Sequence, residues 1–154
     1  MSTPILDVTI RDLNLEVVHD RLAYRATEGR EALAPPVPLK ALEAAIKDYR
    51  RWLYLRLEFP EARVVPSDHI EEVWRQHAEF TEKYRGDCAV IFGRGMFLDR
   101  RPYFTRNVLS MEEEDLSTTR GLWADVFGEV PASYENMVPP LTGWGGAVVS
   151  LMAE

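Results

Sequence analysis

Residues 77 to 88 hold the side chains whose types and spacing could do chemistry. Four of them recur every three or four residues, so on a helix they share one face: His77, Thr81, Tyr84 and Cys88. A partly buried polar cluster of this kind could hold a metal ion or transfer a proton. The same pattern fits a core histidine that is hydrogen-bonded to Tyr84, to Thr81 or to a carbonyl. The apolar character of the face favours this second interpretation.

The candidate catalytic residues are His77, Asp87, Cys88 and Asp99. A catalytic zinc or iron site needs about three protein ligands, and these four have no recognisable metal-site spacing. Cys88 as a nucleophile would need a base beside it, but on one continuous helix His77 lies about three turns and ~16 Å away. The two could meet only if the helix broke at Gly86. We therefore expect Cys88 to be a core residue and expect no resident cofactor, with a single transition metal on His77 as the alternative.

Charged residues on either side of this stretch are candidates for contact with a ligand. Glu71 and Arg75 are four residues apart in the order that favours an ion pair on a helix, although an arginine fork also binds carboxylates well. The Gly-Arg-Gly sequence at 93–95 lacks the third glycine of a dinucleotide fingerprint. With the arginines nearby it forms either an anion-binding loop or, more simply, a turn. The candidate ligand contacts are Glu71, Arg75, Tyr84, Arg94 and Arg100.

The stretch 66–104 also has a recognisable order of aromatic and polar residues. An Ile-Glu pair at 70–71 is followed by Trp74, His77, Thr81, Tyr84, Asp87, Cys88, Phe92-Gly93 and Pro102-Tyr103-Phe104. This order resembles the core of the glycine-rich domain-containing protein-like family, whose biochemical function is poorly defined. Weaker similarity extends over residues 45–130.

This chain departs from the family pattern at its histidines. The resemblance implies a cluster of imidazoles in relatives that could bind a metal or carry out acid–base chemistry. Arg75 stands where the family has its first helix histidine, and Asp99 and Arg100 stand where it has a His-His pair. His77 is the imidazole that remains. The resemblance therefore implies a divergent, bacterial-type member whose histidine site is degenerate.

The periodicity predicts an all-α fold, a small bundle of about four helices with an irregular C-terminal tail. Residues 1–14 alternate loosely, as in a short strand or an extended N-terminal arm. The helical domain spans residues 15–130, and its first helix has Asn14 as a cap. The second helix starts near Pro38 and ends at Phe59. Its apolar stripe is Leu42, Ile46, Tyr49, Leu53 and Leu57.

The two remaining helices have clear start signals. Asp68 as a cap with Glu71 in the capping-box position begins the central helix, and Gly93 is its expected end. Ser110 as a cap begins the last helix, which Gly128 closes. The buried side of that helix is predicted to be Leu116, Thr119, Trp123 and Phe127.

The segment 131–154 differs in composition from the rest of the chain. It has no charged residue between Glu135 and Glu154, and it contains Pro139-Pro140 and three glycines. A segment so apolar either packs on the helical domain or contacts a protein partner or a second copy of the chain. The candidate partner contacts are Leu141, Trp144, Val148 and Leu151.

Composition excludes several classes of protein. The chain has 154 residues, 46% of them hydrophobic, and a formal net charge of −7, which disfavours sequence-independent binding of nucleic acid. No apolar run approaches the roughly 20 residues of a membrane span. The N-terminus lacks the pattern of a secretory signal, and a single cysteine cannot form an intrachain disulfide. A cytoplasmic protein is therefore expected.

Two functions fit these observations. The first is a non-catalytic accessory or partner-binding protein, because imidazole is missing at positions 75, 99 and 100. The alternative is a small-molecule or peptide-modifying enzyme with a reshaped, metal-binding or metal-free site around His77. Clustering of His77 with Asp87, Asp99 or Arg75 in a concave pocket would favour the enzyme.

Overall fold

The computed structural model describes residues 6–30, 32–98, 113–135, 137 and 151–153. Within these ranges the fold is mainly helical, which confirms the predicted all-α class. The helices are α1 (Val8–Arg11), α2 (Glu16–Thr27), α3 (Leu42–Glu58), α4 (Asp68–Glu79), α5 (Thr81–Phe92) and α6 (Glu113–Phe127). Short 3₁₀ turns lie at Leu39–Ala41 and Ala132–Tyr134, and the strands are β1 (Met96–Leu98) and β2 (Leu151–Ala153). In the ranges that the structure describes, no helix is long and apolar enough to cross a membrane.

Helix α1 stands where a strand or extended arm was predicted. The Asp7 side chain accepts a hydrogen bond from the N–H of Thr9 at 2.9 Å and so starts the turn. Arg50 of α3 donates to the carbonyl oxygens of Ile10 and Leu13 at 2.9 and 2.7 Å. Because these bonds join residues about 40 positions apart, local alternation in the sequence could not indicate the turn.

Polar side chains accept backbone hydrogen bonds at the starts of α2 and α4, but the capping residue of each helix differs by one position from the predicted one. The Asn14 side chain accepts a hydrogen bond from the N–H of Glu16 at 3.0 Å, but the capping position of α2 is Leu15, one residue later than predicted, and its side chain makes no capping bond. At the start of α4 the cap is Ser67, whose hydroxyl accepts from the N–H of Ile70 at 3.3 Å. The predicted cap, Asp68, is instead the first residue of α4, where its carboxylate suits the positive end of the helix dipole.

The predicted central helix is two helices, α4 and α5, which meet at Phe80. The backbone of Phe80 has φ −85° and ψ 72°, outside the helical region. Gly86, where a break was considered, lies inside α5. With this division and the short α1, the described chain has six α-helices instead of about four. α5 packs back against α4, so residues ten positions apart come into direct contact.

The core is built around three fully buried tryptophans, one each from α3, α4 and α6: Trp52, Trp74 and Trp123. The rings of Trp52 and Trp74 lie 4.8 Å apart. The indole N–H of Trp123 donates to the hydroxyl of Tyr134, which is buried in the 3₁₀ turn after α6. The predicted buried side of α6 is confirmed at all four positions, Leu116, Thr119, Trp123 and Phe127.

The end of the 131–154 segment returns to the domain through its backbone. β2 pairs with β1 in an antiparallel register that places Ala153 opposite Met96 and Leu151 opposite Leu98. The segment thus contacts the domain through the backbone of residues 151–153. Three of the four predicted partner contacts lie outside the described residues: Leu141, Trp144 and Val148.

Candidate functional site

The imidazole of His77 is enclosed between α3, α4 and α5. Its Nδ1 lies 2.7 Å from the hydroxyl of Tyr49, and its Nε2 lies 2.8 Å from a carboxylate oxygen of Asp87. The rings of Tyr49 and Tyr84 pack edge-on against it, with centroids 5.7 and 5.0 Å away. The residue is 1% exposed. Both ring nitrogens thus have partners within the protein, and two tyrosine rings pack against the imidazole.

These contacts fix the tautomer and the charge of His77. An ionised carboxylate can only accept hydrogen bonds, so Nε2 carries the proton and donates it to Asp87. Nδ1 is then the acceptor for the Tyr49 hydroxyl. Burial lowers the pKa of His77 below its ordinary value, and this effect outweighs the hydrogen bond and the charge of Asp87, which raise it. The ring is therefore neutral at pH 7.

Asp87 is the charged end of this chain of hydrogen bonds. Burial raises its pKa, but the hydrogen bonds from His77 and Lys83 and the positive charge of Lys83 lower it by more, and the net shift is downward. The Lys83 ammonium lies 3.0 Å from the same carboxylate oxygen, one turn earlier on α5. The side chain of Asp87 is 20% exposed. It is therefore an ionised group that reaches the surface while holding a buried ring.

A cleft of about 350 Å³ opens where Asp87 reaches the surface, between α5 and the region of α1. Its polar lining includes the Thr9 hydroxyl, Asp12, Asn14 and Lys83, and its apolar lining includes Val8, Leu13 and Val90. His77 does not line the cleft. A molecule in the cleft would meet the Asp87–Lys83 ion pair and would be separated from the imidazole by the Asp87 carboxylate.

A second pair of hydrogen bonds fixes the other side of the cluster. The indole N–H of Trp74 donates to the hydroxyl of Tyr84 at 2.7 Å, and that hydroxyl donates to the carbonyl oxygen of Leu98 at 2.6 Å. This links α4, α5 and β1. Cys88, one turn beyond Tyr84, is buried, and burial raises the pKa of its thiol to about 11. Cys88 is thus a core residue, as expected, and stays a thiol at neutral pH.

The structure brings together only some of the predicted site residues. His77, Tyr84 and Asp87 form one cluster. Arg75 lies on the exposed side of α4, and its ion pair at 3.3 Å is with Glu72, whereas the sequence pattern predicts Glu71. Glu72 also lies 3.5 Å from Arg25 of α2.

The remaining residues predicted to contact a ligand or to act in catalysis do not join this cluster in the part of the chain that the structure describes. Arg94 is exposed in the turn between α5 and β1. Gly93 and Gly95 flank it with φ of 119° and 79°, values that favour glycine. Asp99 and Arg100 lie outside the described residues.

Two members of the cluster were not predicted as site residues, Tyr49 and Lys83. Tyr49 is visible in the sequence only as one residue of the apolar stripe on α3, since its partner His77 is 28 residues away. Lys83 could have been found, because it precedes Asp87 by four residues and the two pair on one helix face.

A separate titratable group, Asp48 of α3, also has no signal in the sequence. Burial raises the pKa of Asp48 to about 6, against the lowering effect of Arg51 and Lys47. Arg51 lies over the ring of Phe127 and forms its 2.8 Å ion pair with Glu129, at the end of α6. Asp48 is therefore a partly buried carboxyl group beside an arginine that is bonded elsewhere.

Within the described ranges, no three His, Cys, Asp or Glu side chains are grouped so as to hold a metal ion. Comparison with protein-family models found no match, and comparisons with curated proteins and with solved structures found none either. The resemblance to the glycine-rich domain-containing protein-like family, which is carried by the sequence motif, stays a prediction.

Proposed function

We propose that this protein is a non-catalytic, partner-binding protein in which the histidine site has become part of the scaffold. The observation that carries the proposal is the environment of His77. Its ring is 1% exposed, and Tyr49 and Asp87 occupy its two nitrogens. An imidazole in this position joins three helices.

The chemistry of catalysis supports the same proposal. A general base must lie within hydrogen-bonding reach of the proton that it removes, directly or through one water molecule. The lone pair on Nδ1 of His77 faces the Tyr49 hydroxyl inside the core. Cys88 is buried as a thiol, and a thiol is a far weaker nucleophile than a thiolate. Of the cluster, Asp87 and Lys83 line the cleft, and they neutralise each other.

The sequence departures agree with a scaffold role. Arg75, Asp99 and Arg100 stand where the resembled family has imidazoles. An imidazole that has lost its companions can be retained for its packing and hydrogen bonds alone. His77 is buried and makes two hydrogen bonds and two ring contacts, which is a reason to retain it.

An enzyme that uses the exposed end of the cluster is the second candidate. The observation in its favour is that Asp87, bonded to His77, lines a cleft of about 350 Å³ that could hold a small molecule. Such an enzyme would use Asp87 as a base and Lys83 to orient an anionic group. It would need the Asp87–Lys83 ion pair to open when substrate binds.

Nitrogen-15 NMR of the three imidazoles, followed from pH 8 to pH 5, separates the two candidates. A scaffold His77 gives the chemical shifts of a neutral ring protonated on Nε2, and the pKa read from them lies below the ordinary value of a histidine. His19, with a side chain 40% exposed, is the internal control for a ring in contact with water.

Metal content of untagged protein completes the test. A His77 ring that titrates near neutral pH, or a metal ion bound at one per chain and lost in His77→Gln, would contradict the scaffold role. Either result would make the enzyme the better proposal.

A further inference from the structure

The outward face of α2 is a helix face with exposed apolar side chains. Val18 and Leu22 are buried and hold the helix against the core. On the opposite side Val17 is 45% exposed and Tyr24 is 52% exposed. Together with Asp20, Arg21 and Phe80, these two residues line a cleft of about 560 Å³ beside the junction of α4 and α5.

Apolar exposure continues beyond this helix. Leu33 and Leu39, in the segment that follows α2, are also large apolar side chains open to solvent. The 3₁₀ turn that contains Leu39 packs against α2. Contiguous apolar exposure on a small protein marks a surface that binds another protein.

The order of residues on this face is self-complementary. Val17, Asp20, Arg21 and Tyr24 occupy positions i, i+3, i+4 and i+7 of one helix, so they form a single stripe. The midpoint of the stripe falls between Asp20 and Arg21. If a second α2 runs antiparallel across it, Asp20 of each copy meets Arg21 of the other, and Val17 of each meets Tyr24 of the other. A parallel arrangement would place like side chains opposite one another.

We propose that the partner of this protein is a second copy of itself, bound through an antiparallel α2–α2 contact with a two-fold axis between Asp20 and Arg21. This inference rests on the partner-binding function proposed above and names the partner. A two-fold axis makes every contact occur twice, which is the usual geometry of homodimers. The second helix occupies the cleft beside Phe80 and covers Val17 and Tyr24.

The area that the α2–α2 contact can bury limits the affinity of the dimer. A stable interface buries about 800 Å² on each partner, whereas a helix of 12 residues is about 18 Å long. The surface of α2 and of the apolar residues after it is smaller than about 800 Å². The interface reaches this area only if the surface around Phe80 is buried as well. We therefore expect a dimer in the micromolar range, on the order of 1–100 μM, that dissociates on dilution.

Charge reversal on the full-length chain tests the arrangement, with mass measured by sedimentation and light scattering across that concentration range. Arg21→Asp places two aspartates against two aspartates, so the dimer should weaken by more than about tenfold. Asp20→Arg combined with Arg21→Asp restores both ion pairs in the opposite sense and should restore the dimer. Lys47→Glu, at an exposed position of α3, is the control for a change in net charge.

Three results would overturn the proposal. One is a chain that stays monomeric at the highest concentration. Another is a dimer that Arg21→Asp leaves unchanged, which would place the contact elsewhere. The third is a double variant that is no tighter than Arg21→Asp alone. Each of these leaves the NMR result for His77 untouched, so failure of the dimer is distinguishable from failure of the partner-binding function.

Discussion

His77 and Asp48 are two titratable side chains in the packed region around α3. Burial shifts their pKa values in opposite directions, and at pH 7 the first is neutral and the second is ionised. Burial lowers the pKa of His77, so the ring is neutral, with Tyr49 and Asp87 on its nitrogens. Burial raises the pKa of Asp48 to about 6, and the carboxyl group is still mostly ionised at pH 7. Burial thus disfavours the charged form of both groups, and at pH 7 this costs stability at Asp48, which is ionised, but not at His77, which is neutral.

Of the substitutions at these two sites, removal of the imidazole should change the free energy of unfolding the most. His77→Ala deletes two buried hydrogen bonds and leaves a cavity among Tyr49, Tyr84 and Asp87. We expect the free energy of unfolding to fall by about 3 kcal/mol, measured by urea denaturation at pH 7. His19→Ala, which removes a partly exposed ring, is the control. A loss for His77→Ala no greater than that of the control would mean that the network does not stabilise the fold.

Removing one hydroxyl should produce an intermediate effect. Tyr49→Phe keeps the ring and deletes the donor to Nδ1 of His77, so a buried acceptor loses its partner. We expect a loss of about 1–2 kcal/mol. Tyr54→Phe, on the same helix, keeps its ring contact with Phe127 and serves as the matched control. Equal stability of the two variants would show that the Tyr49–His77 hydrogen bond does not stabilise the fold.

Neutralising Asp48 should change the free energy of unfolding the least, and the change should be an increase in stability. The folded pKa of about 6 exceeds the ordinary 3.8, so ionisation of Asp48 costs stability as the pH rises through that window. Asp48→Asn removes this cost. We expect a gain of about 1 kcal/mol at pH 7, after allowance for solvent screening of a partly exposed group. The gain should disappear near pH 4, and Asp125→Asn, at an exposed position of α6, should show none.

The stability contributed by His77 has the opposite pH dependence to that contributed by Asp48. The folded pKa of His77 lies below the ordinary 6.5, so the stability linked to it is complete above pH 6.5 and is lost as the pH falls through the folded pKa. In the wild type the gain from Asp48 on acidification offsets part of this loss. Asp48→Asn should therefore lose stability more steeply between pH 6.5 and pH 4 than the wild type, whereas a shallower slope would contradict the upward shift assigned to the pKa of Asp48.

Much of the helical architecture could be predicted from the sequence, because periodicity reports which residues face the core. The buried side of α6 is correct at every predicted position, and the predicted start of α2 at Asn14 is correct to within one residue. These features depend on residues within a few turns of one another. The sequence also places His77 and Tyr84 on the buried side, and the structure agrees.

The parts that could not be predicted depend on contacts between distant residues. No glycine or proline marks the division at Phe80, and the helical pattern continues across it. Tyr49 is bonded to a histidine 28 residues away, and α1 is bonded to Arg50 of α3. The His77–Asp87 bond follows from the division, since on one straight helix residues ten apart lie about 15 Å apart along the axis. The break in the helix at Phe80 thus creates the cluster.

The pairing of β1 with β2 has a consequence for synthesis on the ribosome. Residues 96–98 emerge with the helices α1 to α5 already made, but their partner strand follows roughly 50 residues later. At about 5–20 residues per second, the hydrogen-bonding edge of β1 waits several seconds for residues 151–153. During that interval the nascent chain offers an open strand edge, a known template for pairing with other chains. Translation speed between residues 98 and 153 therefore sets how long this edge is exposed.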